Sequence, residues 1–405
     1  MNYFIKIIKS GVAVASTLLG RVVTFIIIAK SLGPVEFGIF AFAYAFCSLF
    51  GIVLDYGYTE SILKDGVVKF NRSGGVPFSI IQTKFFLFLV LSVILIFLQL
   101  YFNFFANSSV VIIIWLSITI TSFANVLSTS LRSHGKHGAE SIASLLSNSA
   151  GLVYCLVIEE VGLEYVTYFS STFLIISVLY SFSVTYIYFK LYGFGFLYFR
   201  FGILELKNEI KSNILYSLNT LLQRGLAFLD VLILGVFVNP ISLGIYQAGQ
   251  KIMQGLFPGA LVLNNVFLPL LSNRDGKRWR KLALIVMLVS FLSGITLSGT
   301  LILTAAPMVK IIFSDEYVQL VSYIKFFAIV IAVRYVASGL AILIISVGRH
   351  SYRFYCNLIS TTFFLVLAPI LTYYFDVIGM MYALVVNAIL TLILYSLVIF
   401  KSQKV

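Results

Sequence analysis

Acidic residues are scarce in this 405-residue chain: Asp and Glu number 15 against 28 Lys and Arg, and all charged types together make up 11%. A soluble domain carries about 25% charge, so a water-exposed globule is excluded. Cysteine is nearly absent. Cys47, Cys155 and Cys356 stand singly in apolar segments with no CxxC pair, which excludes a disulfide framework and a thiolate metal cluster. Three histidines occur, and His134 and His137 in the basic turn RSHGKHG have no third ligand nearby, so neither metal nor cofactor is expected. There is no phosphate-cradling glycine loop and no nucleophile beside a base. The longest link, FKLYGFGFLYFRFGILELKNEIK, is too short for a second domain. These absences speak against a membrane enzyme.

What is abundant is apolar length. The chain is 60% hydrophobic, in runs of about 20 residues, the length of a membrane-crossing helix and twice that of a strand in a membrane barrel. The pattern predicts an all-α integral membrane protein. Twelve spans are expected, near 10–30, 37–57, 82–102, 109–130, 140–158, 166–189, 214–237, 244–270, 282–305, 319–346, 353–374 and 378–399. The opening MNYFIKIIKS and the run behind it read as the first span rather than a secretion signal, because the run is too long and holds Arg21.

The few charges are sorted by side. With the N-terminus inside, 21 of the 28 basic residues, Lys84 among them, fall on inner links, while the outer links hold Lys30, Lys310 and most of the acids. Both termini are therefore expected in the cytoplasm. The net charge of +13 follows from that topology and needs no nucleic acid.

Five bases remain inside spans: Arg21, Arg224, Lys251, Lys325 and Arg334. A cation near a helix centre costs about 2.5 to 3.5 kcal/mol on insertion scales, so such residues face a partner or a water-filled cavity. Helical spacing puts Thr17, Arg21 and Thr24 on one face of the first span and Tyr44, Ser48 and Asp55 on one face of the second. It does the same for Thr220 and Arg224 in the seventh, and for Gln247, Lys251, Gln254 and Asn265 in the eighth. These stripes are candidate cavity linings, although hydroxyls and amides also glue helices together. Lys325 and Arg334 stand on opposite faces of their helix, and with Asp55 and Asp230 they are candidates for coupling or ion pairing.

The arginine motif is doubled. TLLGRVVTF at 17–25 repeats as TLLQRGLAF at 220–228, GPVEFGIF at 33–40 as NPISLGIY at 239–246, and HGKH at 134–137 as VGRH at 347–350, in the same order. Six spans have been duplicated with both copies starting inside, which relates the halves by an axis along the membrane normal, as in many transporters.

The run RVVTFIIIAKSLGPVEFGIFAFAYAFCSLFGIVLDYGYTESILKD resembles the opening of the polysaccharide transporter family, whose members flip lipid-linked O-antigen or capsule repeat units. APMVKIIFSDEYVQLVSYIKFFAIVIAVRY and the later SVGRH are similar to that family's second-half segments. The family belongs to the multidrug, oligosaccharidyl-lipid and polysaccharide exporter superfamily. The resemblance implies two homologous six-helix lobes, residues 1–200 and 201–405, around a central cavity lined by spans 1, 2, 7 and 8, in a bacterial inner membrane. It implies a polyprenyl-pyrophosphate-linked oligosaccharide as substrate. The membrane potential, H+ or Na+ would drive transport, with membrane lipids, a polysaccharide polymerase and a chain-length regulator as partners. In that setting Arg21 and Arg224 are paired anion hooks and Lys251 extends the cationic lining, because guanidinium forks match phosphate oxygens. Two relatives with the same fold are alternatives. A multidrug antiporter for organic cations calls for buried acids, which bases outnumber here, and the peptidoglycan-precursor flippases usually have two additional spans.

Single cysteines introduced at 64–72 or 274–281 are expected to react with an impermeant maleimide only from the cytoplasmic side, and those at 159–164 only from outside. The opposite pattern would invert the topology.

Overall fold

In the computed structural model the chain is helical almost throughout, with no strand among the described residues, which are 2–69, 76, 78–102, 105–134, 136–162, 165–192, 203–271 and 276–402. Its helices are α1 (Asn2–Asp55), α2 (Tyr58–Lys69), α3 (Phe78–Phe102), α4 (Ser108–Ser133), α5 (His137–Val161), α6 (Val166–Tyr192) and α7 (Ile203–Phe237). They continue as α8 (Pro240–Leu256), α9 (Pro258–Leu271), α10 (Gly276–Leu303), α11 (Ala305–Ile312), α12 (Leu320–Ser346) and α13 (His350–Ser402).

Eight stretches among the described residues are long and apolar enough to cross a membrane. Two of them, Gly20–Asp55 and Ser351–Phe400, are 36 and 50 residues long and bend inside. α1 breaks at Gly33, which sits at φ 69, and restarts at Pro34, whose fixed φ suits the first turn of a helix. α13 breaks at Asp376, φ 52. Ala227–Phe237 at the end of α7 is a shorter apolar stretch among the described residues, and the eighth expected span is interrupted between Leu256 and Pro258, where proline removes a backbone donor. Twelve passages are compatible with these elements.

The chain forms two compact units, Met1–Leu32 with Ile39–Leu232 and Gly33–Gly38 with Ile233–Val405. α7, placed in the second lobe by its sequence repeat, thus packs with the first unit as far as Leu232. In that unit α4 and α6 are glued by hydroxyls: Ser117 donates to the Phe173 carbonyl at 3.0 Å, and Thr121 donates to Ser177 Oγ at 2.9 Å. In the second unit α12 is central. Its buried residues lie on every side, which explains why it reads as apolar all round.

The second unit also contains a reciprocal backbone crossing. A Cβ on Gly38 would collide with the Pro240 carbonyl, and one on Gly244 with the Pro34 carbonyl, while each would come within 3.1 Å of the other glycine's amide nitrogen. These are the residues matched by the sequence repeat, so the duplication has a local two-fold counterpart. Gly38→Ala and Gly244→Ala should each lower stability by about 1 to 3 kcal/mol through overpacking. Gly299→Ala, where nothing lies within 4 Å, should leave the melting temperature in detergent unchanged.

Candidate functional site

Each copy of the repeated motif places a phenylalanine four residues after its arginine, one helical turn along the same face: Phe25 after Arg21 and Phe228 after Arg224. The structure joins the two copies through Tyr44. The Phe25 ring meets Tyr44 edge-on at 4.9 Å between centroids, Phe228 lies 6.5 Å from it, and Phe173 closes the cluster at 5.2 Å from Tyr44. All four rings belong to the first unit. Arg21 and Arg224 are both exposed, and among the described residues neither has a hydrogen bond or an ion pair. Arg21 lies within electrostatic reach of Tyr180, whose hydroxyl donates to Asn125 Oδ1 at 3.3 Å.

Other expected lining residues are arranged differently. Thr24 and Thr220 are buried, their hydroxyls donating to their own helices at the Gly20 and Tyr216 carbonyls, at 3.0 and 2.8 Å. Tyr44 and Ser48 are half-buried, and the side chains of Thr17 and Asn265 lie outside the described ones. In the second unit α8 carries a polar ladder: Lys251 Nζ donates to Gln254 Oε1 at 3.2 Å and Gln254 Nε2 to Gln250 Oε1 at 3.3 Å, with Gln247 buried beside them. Lys325 is exposed over Phe326, whereas half-buried Arg334 sits 5.4 Å over the Phe257 ring at the α8/α9 break. There Tyr335 donates to the Leu256 carbonyl at 2.6 Å, filling an acceptor that the break leaves open, since Ala260 N turns to the Phe257 carbonyl instead. Asp230 is buried near the end of α7 with Oδ1 accepting from Val231 N at 2.9 Å.

One expectation is corrected. Lys84, assigned by the charge count to an inner link, is fully buried nearly two turns inside α3. Its ammonium donates to Asp55 Oδ1 at 3.1 Å, to the Ser122 carbonyl at 2.8 Å and to Ser122 Oγ at 2.9 Å. Lys84 therefore belongs with the bases inside the expected spans and not with those of an inner link. The missed signal was position: IIQTKFF continues an apolar run that α3 begins at Phe78. Asp55, grouped by spacing with Tyr44 and Ser48, is the counter-ion of Lys84 and also accepts from Thr59 Oγ1 at 3.1 Å.

Asp55 opens a tight corner between α1 and α2. Tyr56 and Gly57 adopt φ 49 and 73, and a Cβ on Gly57 would lie 2.6 Å from Ser217 N of α7. The Tyr56 hydroxyl donates to the Ile210 carbonyl of α7 at 3.2 Å. Tyr58 is fully buried, and burial pushes its phenol well above the ordinary range, so it stays neutral. Removing one partner of a buried ion pair typically costs about 3 to 5 kcal/mol, whereas replacing both with apolar groups is often neutral. Lys84→Met should therefore strongly lower thermal stability in detergent, and Asp55→Leu combined with Lys84→Met should restore most of it.

The comparisons with known proteins agree on the architecture. The family model described as polysaccharide biosynthesis protein matches residues 7–274. No curated protein matches the sequence. Among solved structures, the lipid II flippase MurJ in an inward closed conformation matches with TM-score 0.77 and 15% identity, over 97% of this chain and 87% of that one. An inward-facing multidrug resistance transporter of the MATE family, within the MOP superfamily, matches with TM-score 0.70 and 16% identity, over 96% of both chains. The eukaryotic MATE transporter AtDTX14 matches with TM-score 0.62 and 16% identity, over 98% of this chain and 96% of that one. At these identities the likeness is one of fold: this is a multi-pass membrane protein built like the transporters of that superfamily.

Proposed function

The chain belongs to the polysaccharide biosynthesis protein family, and we propose that it is a flippase carrying a polyprenyl-pyrophosphate-linked oligosaccharide, an O-antigen or capsule repeat unit, from the cytoplasmic to the outer leaflet of a bacterial inner membrane. The observation that carries this reading is the pair of exposed arginines, Arg21 and Arg224, whose following rings meet at Tyr44. Unpaired cations at membrane depth call for an anion, and the diphosphate of such a lipid supplies one that matches guanidinium geometry. Bases outnumber acids inside the expected spans, which favours this cargo over an organic cation. The repeat halves, 1–200 and 201–405, serve as its two lobes, and its product passes to a polymerase and chain-length regulator outside.

The energetics suit the direction. Moving negative charge outward across an inside-negative membrane is favourable by about 2.3 kcal/mol per charge per 100 mV, so the potential contributes to export even before an H+ or Na+ gradient is used.

Cells depleted of the protein should accumulate sugar-loaded polyprenyl pyrophosphate in the cytoplasmic leaflet and lose surface polysaccharide. Unchanged lipid pools and surface polysaccharide would contradict the reading. Arg21→Ala and Arg224→Ala, inserted at normal levels, should each slow complementation by roughly tenfold or more, the equivalent of one charged hydrogen bond of about 1.5 to 3 kcal/mol. Arg→Lys at either site should recover part of the loss, since charge is kept and the fork is not.

A further inference from the structure

Arg21 has polar neighbours that the repeated motif does not supply, all of them in the first unit. They come from α4, α5 and α6. On α5, Glu140, Ser144 and Asn148 follow at steps of four and share one face, and on α4, Asn125 and Arg132 share a face about two turns apart. Beside the RSHGKHG turn that joins these helices, Arg132 Nε and Glu140 Oε2 lie 2.9 Å apart. Tyr180 of α6 is within electrostatic reach of Arg132, Glu140 and Arg21 alike. Farther along α5, Asn148 packs against α1 at Gly20, the residue before Arg21, where an added Cβ would lie 3.9 Å from the Cβ of Asn148. The polar face therefore runs from the turn to the arginine.

Hydroxyls and amides between membrane helices serve as glue, and half of each carboxamide here does so. Tyr180 donates to Asn125 Oδ1 at 3.3 Å, and Asn148 Nδ2 donates to the Ser144 carbonyl at 2.6 Å. These bonds fix the two side chains and leave their other ends over. Asn125 is half-buried, and its Nδ2 has no hydrogen-bond partner among the described residues. Asn148 is buried, and its Oδ1 has none either. One amide donor and one amide acceptor thus stand unused beside an exposed guanidinium. An unpaired buried acceptor is costly, and a donor that closes against it recovers that cost.

We propose that this face is the subsite for the first sugar of the cargo, the one bonded to the diphosphate. With the diphosphate on Arg21, Asn125 Nδ2 donates to an oxygen of that sugar, and Asn148 Oδ1 accepts from an O–H or N–H next to it. Neighbouring hydroxyls of a pyranose, or a hydroxyl beside an acetamido group, present that acceptor and donor side by side. Arg132 and Glu140 balance each other's charge, so they extend the polar face without competing with Arg21 for the diphosphate. Tyr180 and Ser144 are positioning residues, which hold the two amides. The inference rests on the flippase reading and deepens it: Arg21 holds the part that all such lipids share, and the two asparagines read the part that differs.

The test is binding of a short-chain polyprenyl diphosphate, bare or bearing glucose, galactose or N-acetylglucosamine, to the full-length protein in lipid nanodiscs. The native protein should hold at least one sugar-bearing form about tenfold or more tighter than the bare one. Asn125→Ala and Asn148→Ala should each cut that preference by about two- to tenfold, the worth of one neutral hydrogen bond, and leave the affinity for the bare lipid unchanged. Asn125→Leu and Asn148→Leu, closer in volume, replace the alanine variants where those loosen the packing, and the bare lipid reports whether the fold is intact. No preference in the native protein, or an undiminished one in the variants, would overturn the proposal. So would an equal loss for bare and sugar-bearing forms alike, which would make the asparagines structural. Failure of the bare diphosphate to bind the native protein would instead strike the flippase reading itself, and the subsite with it.

Discussion

Hydrocarbon offers no hydrogen-bond partner, and the described polar side chains meet that constraint in distinct ways. Some hydroxyls turn back onto their own helix, as Thr24, Thr83, Ser170 and Thr220 do, each bonding the carbonyl four residues earlier. Others join helices, as Ser117 does to α6 and Tyr335 to the interrupted α8/α9 junction. Lys84 is the extreme case, a cation with no exposed surface whose charge is balanced by one carboxylate and whose N–H groups are all used. Arg21 and Arg224 follow none of these routes. Both are exposed, and among the described residues neither has a hydrogen bond or an ion pair.

Much of the architecture was legible because the relevant signals are periodic and local. Runs of membrane-crossing length, the LGP break in α1, the duplicated arginine motif and the paired glycines all reappear as elements or contacts. Spacing shows which residues share a helix face, but it does not show what that face meets. Thr24 and Thr220 share faces with Arg21 and Arg224, yet they are buried and self-satisfied while the longer arginines project. Lys84 was concealed by a charge count over links, since its partner lies 29 residues earlier and no local pattern joins them. The packing of α7 with the first unit was equally invisible, because a sequence repeat follows ancestry and not contact.

The two units divide the polar residues in a physically meaningful way. The first holds Arg21 and Arg224, each four residues before a ring of the Tyr44 cluster, together with the buried Asp55/Lys84 pair. The second holds the α8 ladder, in which Lys251 is engaged by Gln254 and its charge is spread over amides. Free guanidinium groups and a tied ammonium are different instruments: the first can grip an oxyanion directly, the second mainly shapes the local potential.

The most direct test of the central claim is reconstitution of the purified protein into vesicles bearing a fluorescent polyprenyl-pyrophosphate-linked sugar, with the rate at which the labelled headgroup becomes accessible in the opposite leaflet as readout. The account predicts a rate well above that of protein-free vesicles, and a return to the protein-free rate when Arg21 and Arg224 are both replaced by alanine. Translocation no faster than through bare lipid, or unaffected by loss of both arginines, would contradict it.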